Sequence, residues 1–293
     1  MIEVDHIKKV FSPAFISEIL KDRNLSLKKR YGQNFLINRA LAEKILKHAD
    51  LNKSDTVLEI GPGLGTLTFL MSEKAKQIEA VEIDCGFSKY LQEIVEKAGV
   101  GTRNIKIINK DFLQIDSDDL ISSEEPCKVI SNFPYSAGIK TILKIVDDFK
   151  SVERIIGTVQ KELADRLMAK PGSKNYAFVS VYLQYVSRIR ILEKNISPGN
   201  FFPSPEVISS LIEIKRVKGD LPVDPEAFKM VVKSGFANRR KNLVNNLKLS
   251  SIKIDKEELI KLIRDRFRDV KIRAESLSVE DFVALTGDIQ PFM

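Results

Sequence analysis

The chain has 293 residues, 43% of them hydrophobic, enough to bury a real core and to suggest two domains. Its formal net charge is +7, and thirteen Lys/Arg stand against five Asp/Glu between Lys233 and Arg273, so that stretch reads as facing a polyanion or as a solvated helical surface, while the remainder is close to neutral. No apolar run approaches the ~20 residues of a membrane span, Glu3, Asp5 and Glu18 occupy what would be a leader's apolar core, and Cys85 and Cys127 are too far apart for a zinc or disulfide framework; a cytoplasmic, metal-free protein is expected.

In chain order, residues 1 to about 26 precede the first clear pattern as an N-terminal extension. After Asn38, a good N-cap, "RALAEKILKHAD" repeats apolar residues at helical spacing. "DTVLEI" reads as a buried strand, "GPGLG" as a sharp turn and "TLTFLMSEKAK" as a helix. "QIEAVEID" and "FSKYLQEIVEKAG" form a second strand and helix; "NIKIINKD" and "CKVISN" are strands, and "AGIKTILKIVDDF" is a helix. "VERIIGTVQ", "KELADRLMAK" and "YAFVSVYLQYV" continue the pattern, which closes with the strand-like "RIRILEK" and "VISSLIEIKRV". This alternation predicts an α/β fold with a Rossmann-like, largely parallel sheet over residues 1–217. From 218 to 293 the pattern is helical, giving a small basic second domain.

Open α/β sheets bind ligands beyond the carboxyl ends of their strands. There Gly61, Gly63 and Gly65 allow a tight turn and close approach of backbone to a ligand. The dinucleotide fingerprint would need Gly or Ala at residue 66, which is Thr66, and no Walker lysine follows. Glu82 ends the second strand, where a carboxylate can accept two ribose hydroxyls; Asp111 ends the third and Asn132 the fourth. Any one could cap a turn, but together they outline a site for a nucleoside without a pyrophosphate, S-adenosyl-L-methionine being the common one.

"SNFPY" (131–135) then acquires a use. The exocyclic amine of adenine is a poor nucleophile because its lone pair is delocalised into the ring. The Asn132 side-chain oxygen and the Phe133 carbonyl can accept its N–H hydrogens, Pro134 stiffens the turn, and Tyr135 offers a face on which a base can stack. Positioning carries such a reaction without a histidine base; His6 and His48, away from the strand ends, read as structural or surface residues.

The series "YGQNFL" (31–36), "EIGPGLGTLT" (59–68), "VEID" (81–84), "KDF" (110–112), "SNFPY" (131–135) and "FFPSPEV" (201–207) resembles the ribosomal RNA adenine N6-dimethyltransferase family. "GFANRRKNLVNNL" (235–247) and "RAESLSVEDFVAL" (273–285) are similar to its bacterial branch, which acts on two adjacent adenines near the 3′ end of 16S ribosomal RNA. The resemblance runs from about Leu27 to Leu285. It implies that Asn34 and Leu36 contact the cofactor's methionine part and adenosine with Gln33 nearby, that Gly61 faces it, and that Glu82 meets its ribose and Asp111 its adenine amine. Phe201 would be a second aromatic wall across from Tyr135. Without the resemblance "NFFPSPEV" reads as a turn-rich connector.

The chain departs from the family where Phe133 replaces the usual leucine and where Cys85, read as packing, follows the acidic pair. "LKKR" before "YGQNFL" is a candidate contact to RNA phosphates or a plain surface stretch. Arg239, Arg240 and Lys241, in a stretch read as helical, are candidate RNA-binding residues. Three expectations stay open: a 16S rRNA adenine dimethyltransferase, monomeric and acting on the small subunit or its precursor; the same chemistry on 23S rRNA or DNA; or a non-catalytic assembly factor on this scaffold.

Overall fold

The structure is a computed structural model that describes residues 6, 8–120, 125–250 and 252–293; Glu3 and Asp5, used above against a leader segment, lie outside them. By their contacts the residues divide into two compact units, one of residues up to 164 with 190–216, the other of 165–189 with 217–293. The division is not the single cut at 217/218 that the pattern suggests.

The strands are β1 (Phe35–Leu36), β2 (Thr56–Ile60), β3 (Gln77–Val81), β4 (Ile105–Ile108), β5 (Cys127–Asn132), β6 (Val152–Gln160), β7 (Ser187–Ile196), β8 (Phe201–Phe202) and β9 (Ser209–Arg216), all in the first unit except the first three residues of β7. Seven form a sheet in the order β4-β3-β2-β5-β6-β9-β7. The first five run parallel, and β9 runs antiparallel to β6. The expected Rossmann-like sheet is therefore mixed. No α-helix separates β7 from β9, so the strand–helix alternation that parallel pairing requires stops at β7. Every residue of the interior strand β2 is buried, which is why it reads as an apolar run apart from Thr56 and Glu59.

The helices α1 (Pro13–Asp22), α2 (Arg39–Ala49), α3 (Thr66–Ser72), α4 (Cys85–Ala98) and α5 (Gly138–Asp148) belong to this unit. Asn38 caps α2 by accepting from the Leu41 N–H, and Asp84 caps α4 by accepting from the Gly86 N–H. α3 is shorter than "TLTFLMSEKAK" suggests. Its last residue, Ser72, turns its hydroxyl back onto the Phe69 carbonyl, a local bond that competes with helix extension. His6, in the N-terminal extension, is buried; its Nε2 lies 3.0 Å from the Leu64 carbonyl in the glycine loop and its Nδ1 3.1 Å from the Tyr90 hydroxyl on α4. Burial lowers its pKa and favours the neutral ring, so this histidine is a structural tie.

The second unit contains α7 (Phe178–Val186), α8 (Pro225–Gly235), α9 (Leu243–Leu247), α10 (Lys256–Phe267) and α11 (Val279–Ile289); α6 (Lys161–Leu167) begins in the first unit and ends in the second. α7 is buried on nearly all sides, which explains an apolar run with no strand period. Tyr185 stacks on Phe228 at 3.9 Å and donates to the Val223 carbonyl, and Tyr176 donates to the Leu277 carbonyl. These bonds tie residues 165–189 to the C-terminal helices.

Arg239, Arg240 and Lys241 are not helical. They occupy an exposed turn between α8 and α9. Asn238 accepts from the Arg240 N–H, Asn242 caps α9, and Asn246 donates to the carbonyls of Gly235 and Asn238. Asparagine side chains bonding to nearby backbone favour turns over helix interior, a signal visible in "ANRRKNLVNN". Arg239 pairs with Glu275 at 2.7 Å, while Arg240 and Lys241 have no side-chain ion pair among the described residues. No helix is long and apolar enough to cross a membrane among the described residues.

Candidate active site

A cavity of about 340 Å³ opens beyond the carboxyl ends of β2, β3, β4 and β5. It brings together Gln33, Asn34, Leu36, Gly61, Gly63, Glu82, Asp111 and Asn132, which the sequence scatters between positions 33 and 132. Tyr135 and Phe201 do not line it.

The glycine loop forms its floor. Gly63 has a φ of +60°, and a Cβ there would sit 2.8 Å from the Phe35 ring, so the position needs glycine for both conformation and space. Leu36, from "QNFL", is buried, and its carbonyl accepts from the Thr66 hydroxyl at the start of α3. Gln33 accepts the Lys28 N–H, and Asp111 accepts the Leu113 N–H. Both therefore brace their own loops while also lining the cavity.

Two buried carboxylates set the electrostatics. Glu82, 3% exposed, accepts from the N–H groups of Gly63 and Asp84. Burial nevertheless pushes its pKa up to about 7. Glu59, 2% exposed, accepts from the Thr68 hydroxyl at 2.6 Å; burial and then the nearby Glu82 charge push it up to about 8. Glu59 also lines the cavity. Sequence reasoning gives it no role, although a lone acid in a fully buried strand is the available signal.

At the rim, Asn132 donates from Nδ2 to the Asn34 carbonyl at 2.7 Å, and its Oδ1 accepts from the Thr158 hydroxyl at 2.5 Å. "QNFL" and "SNFPY" thus meet directly. The Phe133 N–H donates to the Thr158 carbonyl at 3.1 Å. The Phe133 ring is buried over Gly157, whose missing Cβ leaves room for a side chain larger than the usual leucine. Pro134 lines the cavity and its carbonyl accepts from the Ala137 N–H. The Tyr135 hydroxyl bonds to the Ser209 hydroxyl at the start of β9. Sequence reasoning misses Thr158 and Ser209 because nothing in "IIGTVQ" or "VISSLIE" marks them.

"NFFPSPEV" is more than a connector. β8 pairs antiparallel with β1, Leu36 opposite Phe201 and Phe35 opposite Phe202, and Asn38 donates to Asn200 at 2.7 Å. Phe201, expected across from Tyr135, packs against it. It is 2% exposed and meets Tyr135 edge to face, with centroids 6.2 Å apart at 71°. The β1 pairing turns it inward, and Tyr135 keeps the half-exposed ring of the two.

A smaller expectation also changes. Cys85 is exposed, not packed. In "LKKR", Lys28 pairs with Asp84 at 2.7 Å and Arg30 donates to the Tyr31 hydroxyl at 2.9 Å. Lys28 is thus bound to the cap of α4.

Residues 24–285 match the family model described as ribosomal RNA adenine dimethylase. A protein of Clostridium botulinum named ribosomal RNA small subunit methyltransferase A is 37% identical over 277 residues, covering 93% of this chain and 97% of that one. A protein of the same name from Geobacillus is 35% identical over 97% of this chain and 98% of its own. A dimethyladenosine transferase from Plasmodium falciparum superposes with a TM-score of 0.71 at 19% identity, covering 87% of this chain and 98% of that one. The 23S rRNA methyltransferase ErmE does so with a TM-score of 0.65 at 22% identity, over 88% and 100%. The structural likenesses speak for the fold and the sequence match for descent: the chain belongs to the ribosomal RNA adenine dimethylase family.

Proposed function

We propose that this protein dimethylates the N6 atoms of two adjacent adenines in the 3′-terminal hairpin loop of 16S ribosomal RNA during small-subunit biogenesis, acting as a monomer in the cytoplasm. The observation that carries this reading is the Asn132 carboxamide, fixed by two partners at the rim of a nucleoside-sized cavity. Full-length relatives named for the small subunit support the choice of RNA.

The cavity suits S-adenosyl-L-methionine. Glu82 lies where a carboxylate meets ribose hydroxyls, Asp111 sits at the neighbouring strand end for an adenine amine, and Gly61 and Gly63 let backbone approach closely. Asn34 and Leu36, which also line the cavity, meet the methionine part and the adenosine, with Gln33 nearby. When bound, the cofactor supplies an electrophilic methyl group on a sulfonium.

The chain's own task is to hold the acceptor. Asn132 Oδ1 and the Phe133 carbonyl accept the hydrogens of the adenine amine, which turns its lone pair toward the cavity. Tyr135 supports the base by stacking, worth about 1–3 kcal/mol, while Pro134 keeps the two acceptors in register. Preorganised acceptors need no reorganisation as charge develops on the amine.

The test is to offer labelled S-adenosyl-L-methionine with unmethylated small subunits, large subunits or DNA and to map the product base. Dimethyladenine at two neighbouring positions of 16S RNA is expected. Label in 23S RNA or DNA would overturn the substrate, and label in none would favour a non-catalytic assembly factor.

A further inference from the structure

We propose that Thr158 is a positioning residue that, together with the Asn34 carbonyl, holds Oδ1 of the Asn132 carboxamide in place for the target amine; this rests on the reading above. A carboxamide has two ends of nearly equal size and opposite hydrogen-bonding character. With Oδ1 toward the amine it accepts an N–H. Flipped, it presents donor to donor and the amine turns away. Something in the protein has to decide between these states.

The Asn34 carbonyl disfavours one of them, and Thr158 has the geometry to lock the other. It stands directly opposite Asn132 in the β5–β6 pair, so the two side chains share a face of the sheet. It is fully buried, and its hydroxyl donates to Oδ1 at 2.5 Å. Threonine is stiff at χ1, so its hydroxyl oxygen is held at one place beside Oδ1. The Asn34 carbonyl can only accept and takes Nδ2; in the flipped state it would confront Oδ1, acceptor against acceptor. The hydroxyl uses one lone pair of Oδ1 and leaves the second for the substrate. The Thr158 carbonyl meanwhile holds the Phe133 N–H. One residue thus sets both groups that meet the amine, without lining the cofactor cavity.

A bland reading is that Thr158 is a buried hydroxyl that found a partner. Thr158→Val, equal in shape but without the donor, separates the two, and Thr158→Ser restores the donor. Steady-state methylation of small subunits should show kcat falling roughly 100-fold in Thr158→Val, as for misplacement of a reacting group. The KM values for RNA and cofactor should change little, and Thr158→Ser should recover most of the rate. A second arm needs no substrate: the Asn132 side-chain amide signals in nitrogen NMR should shift and exchange faster with solvent in Thr158→Val, and revert in Thr158→Ser. Wild-type kcat with unmoved amide signals in Thr158→Val would overturn the proposal. If the wild-type protein methylates no small subunit, the functional reading falls instead, and the NMR arm still decides whether Thr158 fixes the amide.

Discussion

Glu59 and Glu82 bear the cost of a cofactor site built inside a buried sheet. Both carboxyls have pKa values above the ordinary 4.5, at about 8 and about 7, chiefly through burial. The native state therefore holds more protons than the unfolded chain between those values, and stability falls as pH rises through that window. Glu59→Gln removes one such penalty. Its melting temperature is expected to exceed that of the wild type at pH 8.5 and to approach it near pH 5, as calorimetric scans would show. Cofactor binding runs the other way, because ionised Glu82 is the better acceptor for hydroxyls. Affinity measured by titration calorimetry should rise from pH 6 to pH 8.5, and Glu82→Gln should flatten that dependence. The same variant should weaken binding about tenfold to a hundredfold, the worth of charge-assisted hydrogen bonds. A pH-independent wild type would remove Glu82 from the ribose role.

The supports of the methyl-transfer motif belong to whole elements, β6 and β9. Each member of Asn132, Phe133 and Tyr135 rests on one of them, through Thr158, Gly157 and Ser209. Gly157 is the tightest point. A Cβ there would stand 2.1 Å from the Ser131 carbonyl and 2.8 Å from the Phe133 ring. Gly157→Ala should destabilise the protein by about 3 kcal/mol, as overpacking does, and displace the motif enough to depress methyl transfer. Phe133→Leu should not rescue it, because the nearer obstacle is backbone; an unchanged urea midpoint in Gly157→Ala would contradict this packing. The contrast shows what was legible in the sequence. Strand-end residues such as Glu82, Asp111 and Asn132 could be found because the strand pattern counts them to the same edge of a sheet. Thr158 and Ser209 could not, since they meet partners 26 and 74 residues away and carry no local signature. The mixed sheet and the helical placement of 165–189 escaped for the same reason: pairing direction and tertiary docking are not periodicities. The burial of Phe201 likewise follows from its register with Leu36, which spacing alone does not reveal.

The whole molecule separates chemistry from charge. The first unit holds the cavity, and the second carries the excess of cations between Lys233 and Arg273. A single adenine offers too little surface for recognition, so RNA has to be held elsewhere through phosphates that fix its register. The exposed turn at 239–241 suits that use better than a helix would, since it presents adjacent cations together on a loop braced by Asn238, Asn242 and Asn246. Arg239 is partly committed to Glu275, which leaves Arg240 and Lys241 as the pair to test. Replacing both with alanine should weaken small-subunit binding while leaving cofactor affinity and melting temperature unchanged. The log of the binding constant against the log of salt should flatten by roughly one unit of slope for each phosphate that is no longer neutralised. A solvated surface with no ligand predicts parallel lines and equal affinities instead, and that result across a salt series would move the RNA grip to another part of the basic stretch.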